Sequence, residues 1–186
     1  ASHSAAWELI GPVETEIRDA LKNYLWGVAE ETPQERLGDL LRSNGLTLAT
    51  MESLTGGSVA SKITDVPGSS DYFKGGFVTY TNEMKVAMGV DPRIIEEYGV
   101  VSSQVAEAMS EAARCRVGSD VGLGITGVAG PAELDRQPPG EVYIGLSFKG
   151  ETRSIQGFFV SQRVLVKERA TVQALLELYK FIKERV

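Results

Sequence analysis

The sequence is short of the side chains from which most hydrolytic and metal sites are built: its 186 residues include one histidine and one cysteine. The histidine is His3, at the extreme N-terminus. That leaves no room for Ser-His-Asp or Cys-His catalysis, or for a histidine-rich zinc site, so acid–base work must fall to Lys, Tyr, Asp or Glu. A lone cysteine cannot close an internal disulfide, which points to a reducing, cytoplasmic setting. Cys115 falls in a predicted helix and is expected to be a small core residue. Basic residues are also in deficit, with 19 Lys+Arg against 25 Asp+Glu and a net charge of -6. Phosphate contacts need a basic surface, so a general nucleic-acid partner is not expected. No apolar run approaches the ~20 residues of a membrane span, and the N-terminus lacks a charged-then-apolar signal pattern.

What is present is enough for a proper core, with 42% hydrophobic residues in a chain of one ordinary domain plus decoration. Apolar positions Ile10, Val13, Ile17, Leu21, Tyr24 and Leu25 predict one amphipathic helix from Trp7 to about Leu25, ending at Gly27. Its unassigned apolar face suggests a symmetric homo-oligomer. An acidic linker at Glu30-Glu31 then leads to Thr32-Pro33, a helix start, and a helix to about Ser43. Residues 1–32 thus read as an N-terminal helix and linker, and residues 33–186 as the main domain.

The centre of that domain is Thr47 to Ser58. It reads as a buried strand that stops at Glu52 and Ser53, passes Gly56-Gly57 and enters a helix with Val59, Ala60 and Ile63 on one face. A helix starting there would aim free N–H groups and a positive dipole end at whatever lies beside Ser53 and Thr55. Equally, Ser53 or Thr55 could be only an N-cap and the glycines only a turn. A loop at 65–70 follows, then a strand in Phe77-Val78-Thr79-Tyr80 and a short helix opened by Thr81-Asn82. Asp91-Pro92 starts another helix, and Ser102 caps a longer one to about Val117. Val121 to Thr126 is an apolar strand. Residues 127–140 form a long Gly/Pro-rich loop of the kind that often carries function. Strands at 141–148 and 151–160, joined at Lys149-Gly150, predict an antiparallel hairpin before a last helix from about Arg163. Strands alternating with helices and then a hairpin imply an α/β fold, a three-layer α/β/α sandwich with a mixed sheet.

Gly122-Leu123-Gly124-Ile125-Thr126-Gly127 matches the dinucleotide pattern G-x-G-x-x-G, but it lies within a strand and opens no helix, so small glycines beneath a packed helix explain it better. No Walker A sequence is present and no cofactor is expected. Three segments would instead deliver polar groups to one sheet edge: Glu52-Ser53-x-Thr55-Gly56-Gly57, Tyr80-Thr81-Asn82-Glu83-x-Lys85, and Thr126-Gly127-x-x-Gly130-Pro131. A serine without histidine needs another base. A lysine serves if burial lowers its pKa from ~10.4 towards ~7–8. Tyr80 could relay the proton, although alone it reads as a strand aromatic, and Lys85 alone as a solvated helix lysine.

With the runs Thr64 to Ser70 and Gly99-x-Val101-Ser102, these motifs resemble the CinA C-terminal domain family, whose stand-alone members are nicotinamide mononucleotide (NMN) deamidases. The resemblance extends from Leu37 to Arg185. Residues before it, including Tyr24-x-Trp26-Gly27, look like the connector to an upstream half that is not within these 186 residues. The resemblance implies an amidohydrolase that converts NMN and water to nicotinate mononucleotide and ammonia. By motif position it implies Ser53 as nucleophile with Tyr80 and Lys85. Substrate-binding positions would be Glu52, Thr55, Gly56, Gly57, Asn82, Thr126 and Gly127, the N–H groups near Thr55, Gly56 and Gly57 stabilising an oxyanion. Arg163 is the candidate for the 5′-phosphate. The chain departs from the family pattern at Leu54, where cysteine is frequent, and in the bulkier acidic stretch 131–140. The alternative is a non-catalytic nucleotide-binding or oligomerisation domain of a CinA-type protein; a DNA-repair or competence adaptor is opposed by the acidic composition.

Overall fold

The computed structural model describes residues 3–21, Leu25, Gly27 and residues 30–186, with side chains from residue 6 onward. These fall into two compact units, Ala1–Thr32 and Pro33–Val186. The first unit contains helix α1, His3–Leu21, which carries Pro12 in its interior and an Arg18–Glu14 ion pair at 2.6 Å. Ile10, Val13, Ile17 and Leu21 are exposed. The helix begins at His3, before the Trp7 that its periodicity predicts, and Leu25, its predicted end, is not helical; Tyr24 and Trp26 lie outside the described residues.

The second unit is built on five strands: β1 (Leu48–Glu52), β2 (Phe73–Val78), β3 (Val121–Gly127), β4 (Glu141–Phe148) and β5 (Glu151–Phe158). They are ordered β2-β1-β3-β4-β5. β1 is parallel to β2 and β3, whereas β3/β4 and β4/β5 are antiparallel, so the sheet is mixed and the fold is α/β. Helices α2 (Pro33–Ser43), α3 (Ser58–Thr64) and α7 (Arg163–Lys183) cover one face, and α6 (Ser103–Val117) covers the other with α5 (Pro92–Tyr98) against it. Strand alternation divides the core: Val121, Leu123 and Ile125 pack with Leu37, Val59, Ala170 and Leu178, while Ala49 and Met51 pack with Val105, Met109 and Ala113.

Glycines set how closely α6 approaches. A Cβ at Gly122 or Gly124 would run into the α6 backbone at Ser110 and Ala106, and one at Gly145 into Ala106 again. The G-x-G pair in β3 is therefore a seat for a helix. Cys115 corrects the expectation of a core thiol: it is exposed. Six residues beyond buried Met109, it sits about 120° off the helix face that meets the sheet. β2 also differs from expectation, starting at Phe73 and ending at Val78. Its last partner in β1 is Glu52, opposite Val78, so Tyr80 has no strand to pair with and lies in the connection that follows. β5 stops at Phe158, short of the expected Val160.

Candidate active site

The site forms at the carboxyl ends of the parallel strands. Ser53 is the first residue past β1, and its amide donates to the Ile125 carbonyl of β3 at 3.0 Å. On the other side, the Thr79 amide donates to the Glu52 carbonyl at 2.8 Å, which turns the Thr79 carbonyl towards α4 (Asn82–Ala87). The Thr81 hydroxyl caps α4 by accepting from the Met84 amide, and one turn further on the helix carries Lys85 inward. Lys85 is 1% exposed. Its Nζ donates to the Thr79 carbonyl at 2.9 Å and lies 3.1 Å from Ser53 Oγ. Burial pushes the ammonium pKa down to about 8, with Glu83 pulling weakly the other way. A serine hydroxyl thus meets an amine that can shed its proton near neutral pH.

Tyr80 is placed differently. It is 56% exposed, and its hydroxyl accepts from Arg163 Nη2 at 2.7 Å. Arg163 Nη1 donates to the Gly130 carbonyl at 2.8 Å, so the arginine at the start of α7 joins the β2–α4 connection to the loop after β3. Ser53 and Tyr80 line two adjoining cavities, of about 220 and 180 Å3. The larger is also lined by Asn82, Lys85, Thr126 and Asp135, the smaller by Leu54, Ala129, Gly130 and Arg163. Gly127 borders both, and a Cβ there would meet the Glu141 carbonyl at 2.5 Å. Thr126 exposes little chemistry, because its buried hydroxyl donates to the Val100 carbonyl at 2.8 Å.

Glu52, Thr55, Gly56 and Gly57 line neither cavity. Glu52 is 1% exposed and turns its carboxylate back under the start of α3. One oxygen accepts from the Thr55 hydroxyl at 2.7 Å and the amides of Gly57 and Val59 at 3.0 Å; the other accepts from the Ala60 amide at 2.8 Å. Here the protein's own carboxylate occupies the positive helix end that the sequence pattern offers to a substrate. The Gly56 amide is also engaged, with the Ser53 carbonyl at 3.1 Å. Neither Ser53 nor Thr55 caps the helix; Gly57 holds that position with a positive φ of 96°.

Sequence reasoning missed the hairpin within residues 131–140. Leu134 and Gln137 pair across a two-residue turn at Asp135 and Arg136, both left-handed at φ 51° and 64°. Asp135 accepts from the Val100 amide at 3.3 Å, which folds the hairpin against the larger cavity. Such turns usually announce themselves with Asn-Gly or Asp-Gly, and this one has no glycine at its tip. Among the described residues no cluster of three or more His, Cys, Asp or Glu could hold a metal ion, and no helix is long and apolar enough to cross a membrane.

The profile of the CinA C-terminal domain matches residues 30–182. The chain is similar to a putative competence-damage inducible protein of Moorella thermoacetica, 42% identical over 184 residues, covering 98% of this chain and 44% of that one. It is also similar to a CinA-like protein of Kosmotoga olearia, 41% identical over 169 residues, covering 90% and 41%. It therefore spans less than half the length of these curated relatives. Among solved structures, a CinA superfamily protein from Escherichia coli superposes with a TM-score of 0.77 at 28% identity, covering 87% of this chain and 98% of that one. The competence/damage inducible protein CihA from Agrobacterium tumefaciens gives 0.74 at 28%, covering 84% and 99%.

Proposed function

The chain belongs to the CinA C-terminal domain family, and from that premise we propose that it hydrolyses the carboxamide of NMN to nicotinate mononucleotide and ammonia. The observation that carries the reading is the 3.1 Å contact between Ser53 Oγ and the buried Lys85 Nζ. With its pKa lowered to about 8, Lys85 holds an appreciable neutral fraction near pH 7.5 and accepts the serine proton as Oγ attacks the amide carbon. The tetrahedral intermediate collapses with cleavage of the C–N bond. Lys85 hands its proton to the departing nitrogen, and ammonia leaves an ester on Ser53. Water then attacks that ester, Lys85 takes the water proton, the C–O bond breaks, and the proton returns to Oγ. The Thr79 carbonyl holds the amine in line throughout.

Glu52 and the Ser53 carbonyl engage the Gly57 and Gly56 amides, which argues for an oxyanion donor elsewhere. We assign that role to the Leu54 amide, next to the nucleophile and without a hydrogen-bond partner among the described residues. Arg163, bridging Tyr80 and Gly130, is the cation for the 5′-phosphate. A cytoplasmic homo-oligomer is part of the same reading. Ammonia release from NMN by the wild-type chain tests it, with Ser53→Ala expected to lose at least about 1000-fold and Lys85→Ala about 100-fold or more. Unchanged rates in both variants would overturn the mechanism. Nucleotide binding without any turnover would favour the non-catalytic reading.

A further inference from the structure

Three charged side chains line the two cavities: Lys85 and Asp135 in the larger, Arg163 in the smaller. If the larger cavity held only Lys85, it would suit a neutral or anionic group; Asp135 adds a carboxylate at its rim. That carboxylate is aimed by the fold. The Asp135–Arg136 turn is held by paired Leu134 and Gln137 backbone bonds of 3.1 and 2.8 Å, and one Asp135 oxygen is tied to the Val100 amide. The protein thus presents a negative group in one lobe and a guanidinium in the other, with Ser53 bordering both. NMN carries the complementary pair, a quaternary pyridinium ring and a phosphate, with the carboxamide on the ring.

We propose that Asp135 is a specificity-determining residue whose carboxylate recognises the positive charge of an N-substituted pyridinium ring lying in the larger cavity, its carboxamide at Ser53. This rests on the deamidase reading and adds a direction to it: ring towards Asp135, phosphate towards Arg163. A neutral Lys85 does not oppose the ring charge, so the base form and the cationic substrate are compatible in one cavity. Asp135 is itself exposed, so water screens it and the discrimination is moderate.

The test compares NMN with its reduced 1,4-dihydro form, which keeps the carboxamide, ribose and phosphate but has an uncharged ring. For the wild type and Asp135→Asn, KM for NMN and the competition constant for reduced NMN are measured. Asparagine keeps an oxygen for the Val100 amide, so the hairpin is retained while the charge is lost. The expected result is a rise in KM for NMN of about 3- to 10-fold, kcat within about two-fold, and an unchanged constant for the reduced compound. An equal shift for both ligands would show that Asp135 acts only on hairpin structure, and no shift for either would show that the charge is not read; each overturns the proposal. If wild-type protein releases no ammonia from NMN, the deamidase reading fails separately. The charge preference is then read from calorimetric affinities for the same two ligands, where equal affinities in the wild type overturn it.

Discussion

The floor and the rim of the site are built on opposite terms. At the floor, the turn from β1 into α3 spends its polar groups internally: Glu52 alone accepts four hydrogen bonds from Thr55, Gly57, Val59 and Ala60. At the rim, Tyr80, Arg163 and residues 134–136 of the hairpin are exposed and held to their surroundings by few contacts, Arg163 to Gly130 and Tyr80, and Asp135 to Val100. A buried carboxylate satisfied on both oxygens holds the strand end rigid, whereas solvent-exposed bonds leave the rim free to vary. The lesson is that polar residues in one short motif divide between scaffolding and chemistry according to which way the strand alternation turns them. Glu52 points under the helix, and Ser53 points into the cavity.

That contrast can be broken or sharpened by substitution. The largest stability effect is expected at the floor. Glu52→Gln leaves an amide nitrogen facing a helix N–H and removes charge-assisted bonds, costing about 2–4 kcal/mol in denaturant unfolding. A loss below about 0.5 kcal/mol would mean that the carboxylate does not organise the turn. Gly124→Ala, beneath α6, should cost about 2–3 kcal/mol because its Cβ meets helix backbone that cannot swing aside.

Lys85 sits between the two regimes and gives a change of opposite sign. Its pKa is 10.5 when unperturbed and about 8 when folded, so below pH 8 the folded protein must keep a buried ammonium. Between about 8 and 10.5 the unfolded chain holds a proton that the folded chain has released, and raising the pH there favours folding. Lys85→Met should therefore abolish ammonia release yet raise stability by about 1–3 kcal/mol at pH 7, the gain fading towards pH 10.5. Unfolding curves at pH 7 and pH 10 check this. For the wild type, kcat/KM for NMN should climb with pH and level off above about 8, as the neutral amine forms; a flat profile would remove Lys85 as the base. The smallest effect is expected at the rim, where Arg136→Gly relieves a left-handed backbone position and stabilises by about 0.5 kcal/mol or less, with little change in stability-independent activity.

Much of this is legible in the sequence. Ser102 as a helix cap, the short helix opened at Thr81-Asn82, the apolar β3, the 149–150 hairpin turn and the last helix from Arg163 all follow from local pattern, because capping, turns and amphipathic period are set by neighbours in sequence. The exposure of Cys115 and the end of β2 before Tyr80 differ from the sequence expectation because they depend on distant elements: the rotation of α6 on the sheet, and the end of β1. The Asp135–Arg136 turn carries no local signal, since its left-handed residues are held by Leu134, Gln137 and Val100.

By itself, the order of residues determined the α/β class, the mixed sheet and a short set of polar candidates in a chain nearly without histidine, since these depend on composition and on periods of two and 3.6. Only the tertiary structure decided which candidates meet. It buries Lys85 beside Ser53, gives Glu52 to the helix and Tyr80 to Arg163, because burial and opposition across strands are relations between segments far apart in the chain.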